Sequence, residues 1–507
     1  MKKIIRPIIS ISLFCALAIS FTSCTKEDIA PAGIKELKFN IEVNNASAQD
    51  TKAVQTDWED GNRILVFFYV SAGAESGFLD PINYVTLTYN ATEKKWNGAV
   101  CGSLSDASLL GTSGVMYGVF FPYGDVAVIS DGNGGVNFRT SNNTNPALNG
   151  MLVSTYYMTA GAPYTVETAG DVATLEGQFD MVLPENFVYF YVSKDGEKYC
   201  ENEKYRLAIE GVYPVACYSF NKGFKETPQN GKFIGQPMWG YKYGDGIAFS
   251  GKIDGTWSTS TSYRFIFFSD GDPAVAKSFN GTLASHGSVR LKSPDAANGW
   301  EPAVTTPTTT LINEKKWANW NLGADDVNGI GFYLRWGGLV EPKDHNSESL
   351  LPEKMIGSNN LVGDYAIYDA ARAYLGASWR MPTISEYESL GSVSSSSWIP
   401  VGNTEISVGP TVENGGVYYY PNPTLNNGGW RVVDGSNSIF LPVTGMYQNT
   451  KTLKESYSNY TVGCYYSSTC VGKYRRFYYN PSGSPFTTSA TPSYIEFGMP
   501  VRPIKID

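Results

Sequence analysis

Few residues of this 507-residue chain have the types and spacing that acid–base, metal or phosphate chemistry needs. Its two histidines, His286 and His345, stand far apart in sequence, so a Ser-His-Asp triad or a histidine-based metal site is poorly supplied. Asp270-Gly271-Asp272 could offer oxygens to calcium, but no spaced run of acidic ligands accompanies it, and a turn is the better interpretation. We therefore expect a protein that is not an enzyme and that holds no cofactor or metal.

The residues best suited to recognition lie near the C-terminus, in a stretch at 447–494 that is dense in Tyr, Ser, Thr and Asn. Tyrosine gives a large contact area and a hydroxyl at low entropic cost, and Ser and Asn give adaptable hydrogen bonds. The candidate ligand-binding residues are Tyr465, Tyr466, Tyr474, Arg475, Arg476, Tyr478 and Tyr479. Because side chains alternate across a strand, individual tyrosines could equally fill a core, whereas Arg475 and Arg476 are expected to be exposed.

Cysteines are sparse and none has the paired spacing of a zinc site. Cys200 with Cys217, and Cys464 with Cys470, are close enough in sequence to form disulfides in an oxidising compartment. The alternative is that they are small buried apolar residues.

The N-terminus has the pattern of an export signal. Three basic residues stand among the first six, and an apolar run at 8–21 follows that is too short to span a membrane. Thr22-Ser23-Cys24 then resembles a bacterial lipobox, which implies a signal peptide at 1–23 and a lipid on Cys24. Lys26-Glu27-Asp28, within the tether at 24–33, resembles the export tags of surface lipoproteins in Bacteroidetes. We expect a chain anchored to the outer membrane and facing outward.

Composition excludes one class of partner and favours one class of fold. Removing residues 1–23 takes away three positive charges and no negative ones, which moves the formal net charge from −9 to −12. Such a surface repels phosphate backbones, so nucleic acid is not an expected partner. Only 17% of residues are charged, while Tyr (34) and Gly (52) are plentiful, which is typical of β-rich extracellular domains.

Strand patterns fill the chain from 34 to 300. Leu37, Phe39, Ile41 and Val43 alternate with polar residues, the period of a half-buried strand. Apolar runs rich in β-branched and aromatic residues follow at 64–70, 115–121, 187–192, 206–209, 215–220 and 263–268. They predict two antiparallel β-sandwiches, at 34–182 and 183–300.

The sequence pattern changes after residue 300. The Pro/Thr-rich segment at 301–312 predicts an extended linker. Beyond it, residues 365–375 have helical spacing, Thr383 and Glu386 fit a capping box, and strands return from Trp430. Residues 313–507 are therefore expected to form an α+β domain.

Two family resemblances bear on these predictions. Residues 51–68, TKAVQTDWEDGNRILVFF, resemble the opening of fimbrillin-like (Mfa-type) lipoproteins of Bacteroidetes, and Phe120-Phe121-Pro122-Tyr123 resembles a later strand end of that family. Asn62 departs from the family's usual Asp. The resemblance covers roughly 34–300 and implies two transthyretin-like sandwiches, as in pilus subunits or pilus-like adhesins.

The C-terminal domain resembles the Fibrobacter major paralogous domain, which has a C-type-lectin-like fold. The motifs that carry the resemblance are Trp317 to Ala324, Trp379-Arg380-Met381-Pro382-Thr383 with Glu386, Gly463 to Ser468 and Pro500 to Pro503. The related formylglycine-generating fold shares the second motif and uses a redox cysteine pair, a role that we do not expect for Cys464 and Cys470.

Two functional hypotheses from different classes follow. The first is a cell-surface adhesin, at a pilus tip or as an accessory subunit, that binds a glycan or a protein through the C-terminal domain. Other pilus subunits would then be partners through donor-strand exchange, after a cut near Lys52. The alternative is a glycan-capture surface lipoprotein of a nutrient-uptake system.

Overall fold

The structure, a computed structural model, describes the chain in separate stretches. They are 36–44, 58–70, 77–78, 84–101, 110–121, 126–130, 135–140, 158–182, 187–193, 205–209, 211–214, 218–220, 235–243, 246–253, 258, 260–269, 276–282, 287–292, 294–327, 329–341, 359–392, 395–399, 411–413, 416–418, 429–442, 444, 447–448, 452–453, 463–471, 474–479, 487–488 and 498–506. These residues are mainly β-strand, and the few helices fall after residue 294. The fold class expected from the sequence, mainly β with an α+β C-terminal part, is confirmed.

The first β-unit contains ten strands. Their bounds are β1 (Glu36–Asn44), β2 (Arg63–Val70), β3 (Gly77–Phe78), β4 (Tyr84–Asn90), β5 (Lys95–Cys101), β6 (Ser113–Phe120), β7 (Val126–Ser130), β8 (Val136–Thr140), β9 (Met158–Ala169) and β10 (Val172–Asp180). The main sheet has the order β1-β10-β9-β6-β2-β4-β5, with β3 added to β2. All these pairs are antiparallel except β1 with β10, which is parallel.

The sheet curls until its two ends meet over a core. The alternation in β1 is as predicted: Ile41 is buried, Leu37, Phe39 and Val43 are half-buried, and the residues between them are exposed. The ring of Phe39 lies against Gly98 in β5, at the opposite end of the sheet, where an added Cβ would sit 2.4 Å from Phe39 Cδ2. The β1 strand therefore covers the core from the edge of the sheet.

The second β-unit contains eleven strands. Their bounds are β11 (Phe187–Ser193), β12 (Tyr205–Ile209), β13 (Val212–Tyr213), β14 (Tyr218–Phe220), β15 (Met238–Trp239), β16 (Tyr241–Tyr243), β17 (Gly246–Ile253), β18 (Ser262–Ser269), β19 (Lys277–Thr282), β20 (Gly287–Leu291) and β21 (Glu301–Pro302). The sheet order is β20-β11-β17-β13-β12-β18-β19-β21, with β15 on β12 and β16 on β17. As in the first unit, the first strand pairs in parallel with a late strand, here β11 with β20. These two parallel pairs, β1 with β10 and β11 with β20, depart from the antiparallel pairing found in the rest of the two main sheets.

The two β-units are joined through side chains and through a strand. The β14 strand pairs with β8 of the first unit, and Tyr218 is opposite Phe138 in the backbone register. Phe138 and Phe220 stack edge to face at 5.5 Å. Tyr191 and Ala248 of the second unit also belong to the core of the first. The connection between Asp180 and Phe187 thus separates two sheets that remain packed together.

The C-terminal unit combines short helices with small sheets. Its strands are β22 (Thr309–Ile312), β23 (Lys315–Ala318), β24 (Trp379–Arg380), β25 (Ser395–Ile399), β26 (Thr411–Glu413), β27 (Gly416–Tyr418), β28 (Gly429–Asp434), β29 (Asn437–Pro442), β30 (Tyr447–Gln448), β31 (Thr452–Leu453), β32 (Gly463–Val471), β33 (Tyr474–Tyr479), β34 (Thr487–Thr488) and β35 (Ile504–Lys505). Its helices are α1 (Ala370–Leu375) and α2 (Ile384–Ser389), with 3-10 turns at Gly363–Tyr368 and Leu390–Ser392, while a further 3-10 turn at Ala296–Asn298 precedes β21 in the second β-unit. The last strand, β35, lies between β23 and β24, so the start and end of this unit share one sheet.

The helix expected at 365–375 is divided at Asp369. Residues Gly363–Tyr368 form a 3-10 turn and α1 begins only at Ala370, because Asp369 is extended (φ −77°, ψ 112°) and caps α1 with its carboxylate. The capping box at Thr383 and Glu386 is confirmed in both of its hydrogen bonds. Periodicity located the helical region, while the buried carboxylate determined where it breaks.

Of the predicted strand at 215–220, the structure describes Tyr218–Phe220, which form β14, and residues 215–217 lie outside the described residues. The other runs lie within β2, β6, β11, β12 and β18, apart from Phe121, which follows the end of β6.

Candidate functional site

Two of the seven predicted ligand-binding residues, Tyr465 and Tyr466, are core residues. Both side chains are fully buried, Tyr465 against Tyr387 and Tyr466 within the cluster that contains Trp336 and Trp379. The Tyr465 hydroxyl donates to the carbonyl of Pro442 at 2.7 Å, and burial raises the pKa of Tyr465 to about 12. Their assignment to a ligand surface was wrong, because β32 is covered on both of its faces.

The β32 strand is fixed by main-chain contacts as well. Ser468 N donates to the Pro382 carbonyl at 2.7 Å, and Ser468 O accepts from Leu361 N at 2.9 Å. The indole of Trp336 donates to the Ser467 carbonyl at 2.8 Å. The Thr444 hydroxyl lies within hydrogen-bond distance of both N and O of Cys464. This strand is therefore a rigid support for whatever pairs with it.

The other five predicted residues lie on the neighbouring strand. They are Tyr474, Arg475, Arg476, Tyr478 and Tyr479, all in β33. This strand pairs antiparallel with β32, with Tyr478 opposite Cys464 and Arg476 opposite Tyr466, and with β34 on its other side. Only the backbone of β33 is described, so the exposure predicted for Arg475 and Arg476 stays a prediction. The structure thus separates the seven residues into two buried in β32 and five carried on the strand beside it.

The predicted disulfide between Cys464 and Cys470 is absent. The two residues lie six positions apart along β32, whose register with β33 shifts between Tyr466 and Val471, and no disulfide joins them. Cys464 is buried, in agreement with the alternative of a small apolar residue, and Cys470 is half-buried. Cys24, Cys200 and Cys217 lie outside the described residues.

The Trp379–Thr383 motif has a structural role. Trp379 is buried. Arg380 forms a bidentate pair with Glu386, at 2.8 Å and 2.6 Å, and also donates to the Met381 carbonyl. The Arg380 side chain is 25% exposed and that of Glu386 14%, so the pair closes a corner at the surface.

Two carboxyl groups at this corner have opposite pKa shifts. Asp369 is fully buried and accepts from the amides of Met381 and Arg372, but its burial dominates and raises its pKa from 3.8 to about 6. Burial also acts to raise the pKa of Glu386, but the hydrogen bonds from Arg380 and Thr383 outweigh it and lower that pKa below its usual value. Both shifts are explained by burial and by hydrogen bonding within this folded corner.

A concave polar site that the sequence did not reveal lies on the outer face of the first sheet. The cavity has a volume of about 410 Å³ and is lined by Asn40 and Glu42 of β1, Thr165 of β9, and Glu176 and Gln178 of β10. Asn40 Nδ2 lies 3.4 Å from Glu176 Oε1. The alternation of β1 indicated that Asn40 and Glu42 face outward, but their neighbours more than 130 residues away follow only from the parallel pairing of β1 with β10.

Within the described stretches, no group of three or more His, Cys, Asp and Glu residues is placed to hold a metal ion. The same portion of the chain contains no helix that is both long enough and apolar enough to cross a membrane. His286, His345 and residues 270–272 lie outside the described residues.

Comparison with known proteins gives structural neighbours only. No family model matches the chain, and no curated protein matches it. Among solved structures it is similar to a protein of Bacteroides ovatus that is provisionally assigned to cell adhesion, with 15% identity and a TM-score of 0.28 over 51% of this chain and 92% of that one. A Bacteroides fragilis protein with the same provisional assignment has 13% identity and a TM-score of 0.27 over 54% and 98%. A third, from Bacteroides uniformis, has 12% identity and a TM-score of 0.28 over 52% and 95%. At these sequence identities and TM-scores the similar structures carry no inference about function, which therefore rests on the residues of this chain.

Proposed function

We propose that this chain is a cell-surface adhesin, a pilus tip or accessory subunit held at the outer membrane by a lipid on Cys24 before assembly, which binds a glycan or a protein through its C-terminal unit. The observation that supports binding is the pairing of β33 with β32. Five residues of the types that dominate recognition surfaces are carried on a strand whose neighbour is locked in the core. A recognition segment on a rigid support loses little conformational entropy when its ligand binds.

The experiment is a glycan and host-protein array probed with the full chain, in which Cys24→Ser prevents lipidation. A hit that is lost in Arg475→Ala/Tyr478→Ala supports binding through β33. Binding that survives both changes would move the site elsewhere, with the polar cavity on β1, β9 and β10 as the next location to test.

The position of β1 supports assembly by donor-strand exchange as part of the same proposal. This strand precedes Lys52, pairs among the described strands only with β10, and covers the core with Phe39 and Ile41. Its parallel pairing and its place at the sheet edge make it the strand that a cut near Lys52 would release. The groove left behind would accept an extended segment of another subunit, with main-chain hydrogen bonds giving affinity and side-chain pockets giving specificity.

Mass spectrometry of the N-terminus on intact cells tests this assembly step. A new N-terminus just after Lys52 or a nearby basic residue, in chains recovered from fibres, is the expected result. An intact lipidated chain within assembled fibres would contradict it. The glycan-capture alternative predicts an intact N-terminus and no fibres.

A further inference from the structure

The Pro/Thr-rich segment at 301–312 is expected from its composition to be an extended linker. In the structure it contacts the two flanking units along its length. Its first residues form β21 on the edge of the second sheet, and Ala303 N donates to the Ala276 carbonyl at 2.8 Å. Ala303 and Val304 are buried. The Thr305 hydroxyl donates to Asp325 at 2.7 Å. The chain therefore passes from the second β-unit into the C-terminal unit without a solvated tether.

A buried arginine joins the two units next to this segment. Arg206 of β12 is 1% exposed, and its guanidinium donates to the Ile367 carbonyl, in the 3-10 turn that precedes α1, at 2.5 Å. The same guanidinium lies over the rings of Trp239 and Phe268 at 5.4 Å and 5.5 Å. Burying a charge is costly unless hydrogen bonds and ring faces replace water. The two rings belong to the second β-unit itself, whereas the hydrogen bond to Ile367 forms only when the C-terminal unit is docked against it.

Main-chain contacts fix that orientation at further points. The Gly235 carbonyl accepts from Leu339 N at 2.8 Å and from Val340 N at 3.0 Å, and the Gln236 side chain donates to the Gly337 carbonyl at 2.6 Å. On the other side of Arg206, Ala276 N donates to the Tyr374 carbonyl at 3.2 Å.

Apolar packing crosses the same boundary. The ring of Tyr374 meets Phe268 edge to face at 5.1 Å. One continuous apolar cluster contains Trp239 and Phe268 from the second unit together with Trp336, Tyr374 and Trp379 from the C-terminal unit. A shared core of this kind favours cooperative unfolding across the boundary.

We propose that the second β-unit and the C-terminal unit form one cooperative folding unit, with Arg206 as the latch that sets their relative orientation. The recognition strand β33 is then presented at a fixed angle to the β-sheets and does not swing on a linker. This inference does not depend on which ligand, if any, the C-terminal unit binds.

Amide hydrogen exchange on the full chain, measured by mass spectrometry, tests the latch. In Arg206→Met, exchange is expected to rise at least about tenfold both in β12 and in residues 363–375, because losing the latch opens both sides of the boundary. Arg372→Met is the matched control: this arginine is exposed on α1, and its change should leave both regions as they are. A rise confined to β12, with residues 363–375 unaffected, would overturn the proposal.

A milder variant covers the case in which Arg206→Met does not fold. Gln236→Ala removes a single cross-boundary hydrogen bond and should raise exchange in residues 333–341 and in β12 together, by a smaller factor. Two separate unfolding transitions of the wild-type chain, one for each unit, would also contradict a single cooperative unit.

Discussion

Phe39 and Gly98 lie at opposite ends of the first sheet, and yet the ring of Phe39 occupies the space where a side chain at Gly98 would be. The contact joins β1, the strand that precedes Lys52, to β5. Its stability therefore reports how strongly β1 is held against the rest of the sheet.

Gly98→Ala is expected to destabilise the chain by about 1–3 kcal/mol, because the added Cβ would come within 2.4 Å of Phe39 Cδ2 and the ring would have to move. Amide exchange in β1 should rise in parallel. Chemical denaturation measures the first effect and exchange the second. The exposed neighbour Asn97 provides the control, since Asn97→Ala adds no clash.

A double-mutant cycle identifies the cause. In a Phe39→Ala background, Gly98→Ala should cost clearly less than in the wild type. Equal costs in the two backgrounds would show that Phe39 is not what Gly98 accommodates.

Glu386→Gln is expected to lower the free energy of unfolding by about 2 kcal/mol at pH 7, because it weakens the pair with Arg380 and one half of the capping box. The pKa of Glu386 is lowered by folding, so its contribution is present above its unfolded pKa of 4.5 and is lost as the pH falls through the folded value. Denaturant titrations at several pH values should therefore show the wild-type advantage shrinking below pH 4.5. A constant difference down to the lowest pH would contradict this linkage.

Asp369 should show the opposite trend. Its pKa rises from 3.8 to about 6 on folding, so protonation between these values stabilises the folded chain. Relative to Asp369→Asn, the wild type should gain up to about 3 kcal/mol as the pH is lowered from 7 to 4. A wild-type advantage that grows with rising pH would contradict the burial of this carboxyl.

The two cysteines of β32 should differ in reactivity. Cys464 is buried and Cys470 is half-buried, so iodoacetamide should label Cys470 in the native chain and Cys464 only after unfolding. Peptide mapping without reduction provides the readout. A linked Cys464–Cys470 peptide would show that β32 is not extended at these positions.

Local patterns predicted much of the fold because each depends on neighbours in sequence. The period of two at Leu37 to Val43 and the capping box at Thr383 and Glu386 are confirmed for that reason. Whether Tyr465 and Tyr466 are buried depends on elements as distant as Trp336 and Pro500, which no local period encodes. Arg206 likewise lies within an ordinary strand pattern, and its role depends on a hydrogen bond to the Ile367 carbonyl, 161 residues away in sequence. The Pro/Thr composition at 301–312 predicts how the segment would behave in isolation. Its partial burial in the folded chain depends on the two units on either side of it.

The central claim is that the C-terminal unit recognises a ligand through β33. Its most direct measurement is the affinity of the full chain for the strongest hit of the glycan and host-protein array, compared among the wild type, Arg475→Ala/Tyr478→Ala and the exposed control Arg431→Ala in β28. If β33 binds the ligand, the double variant loses at least about tenfold in affinity, the control keeps the wild-type affinity, and both variants keep the wild-type unfolding midpoint. Wild-type affinity in a folded Arg475→Ala/Tyr478→Ala chain would contradict it.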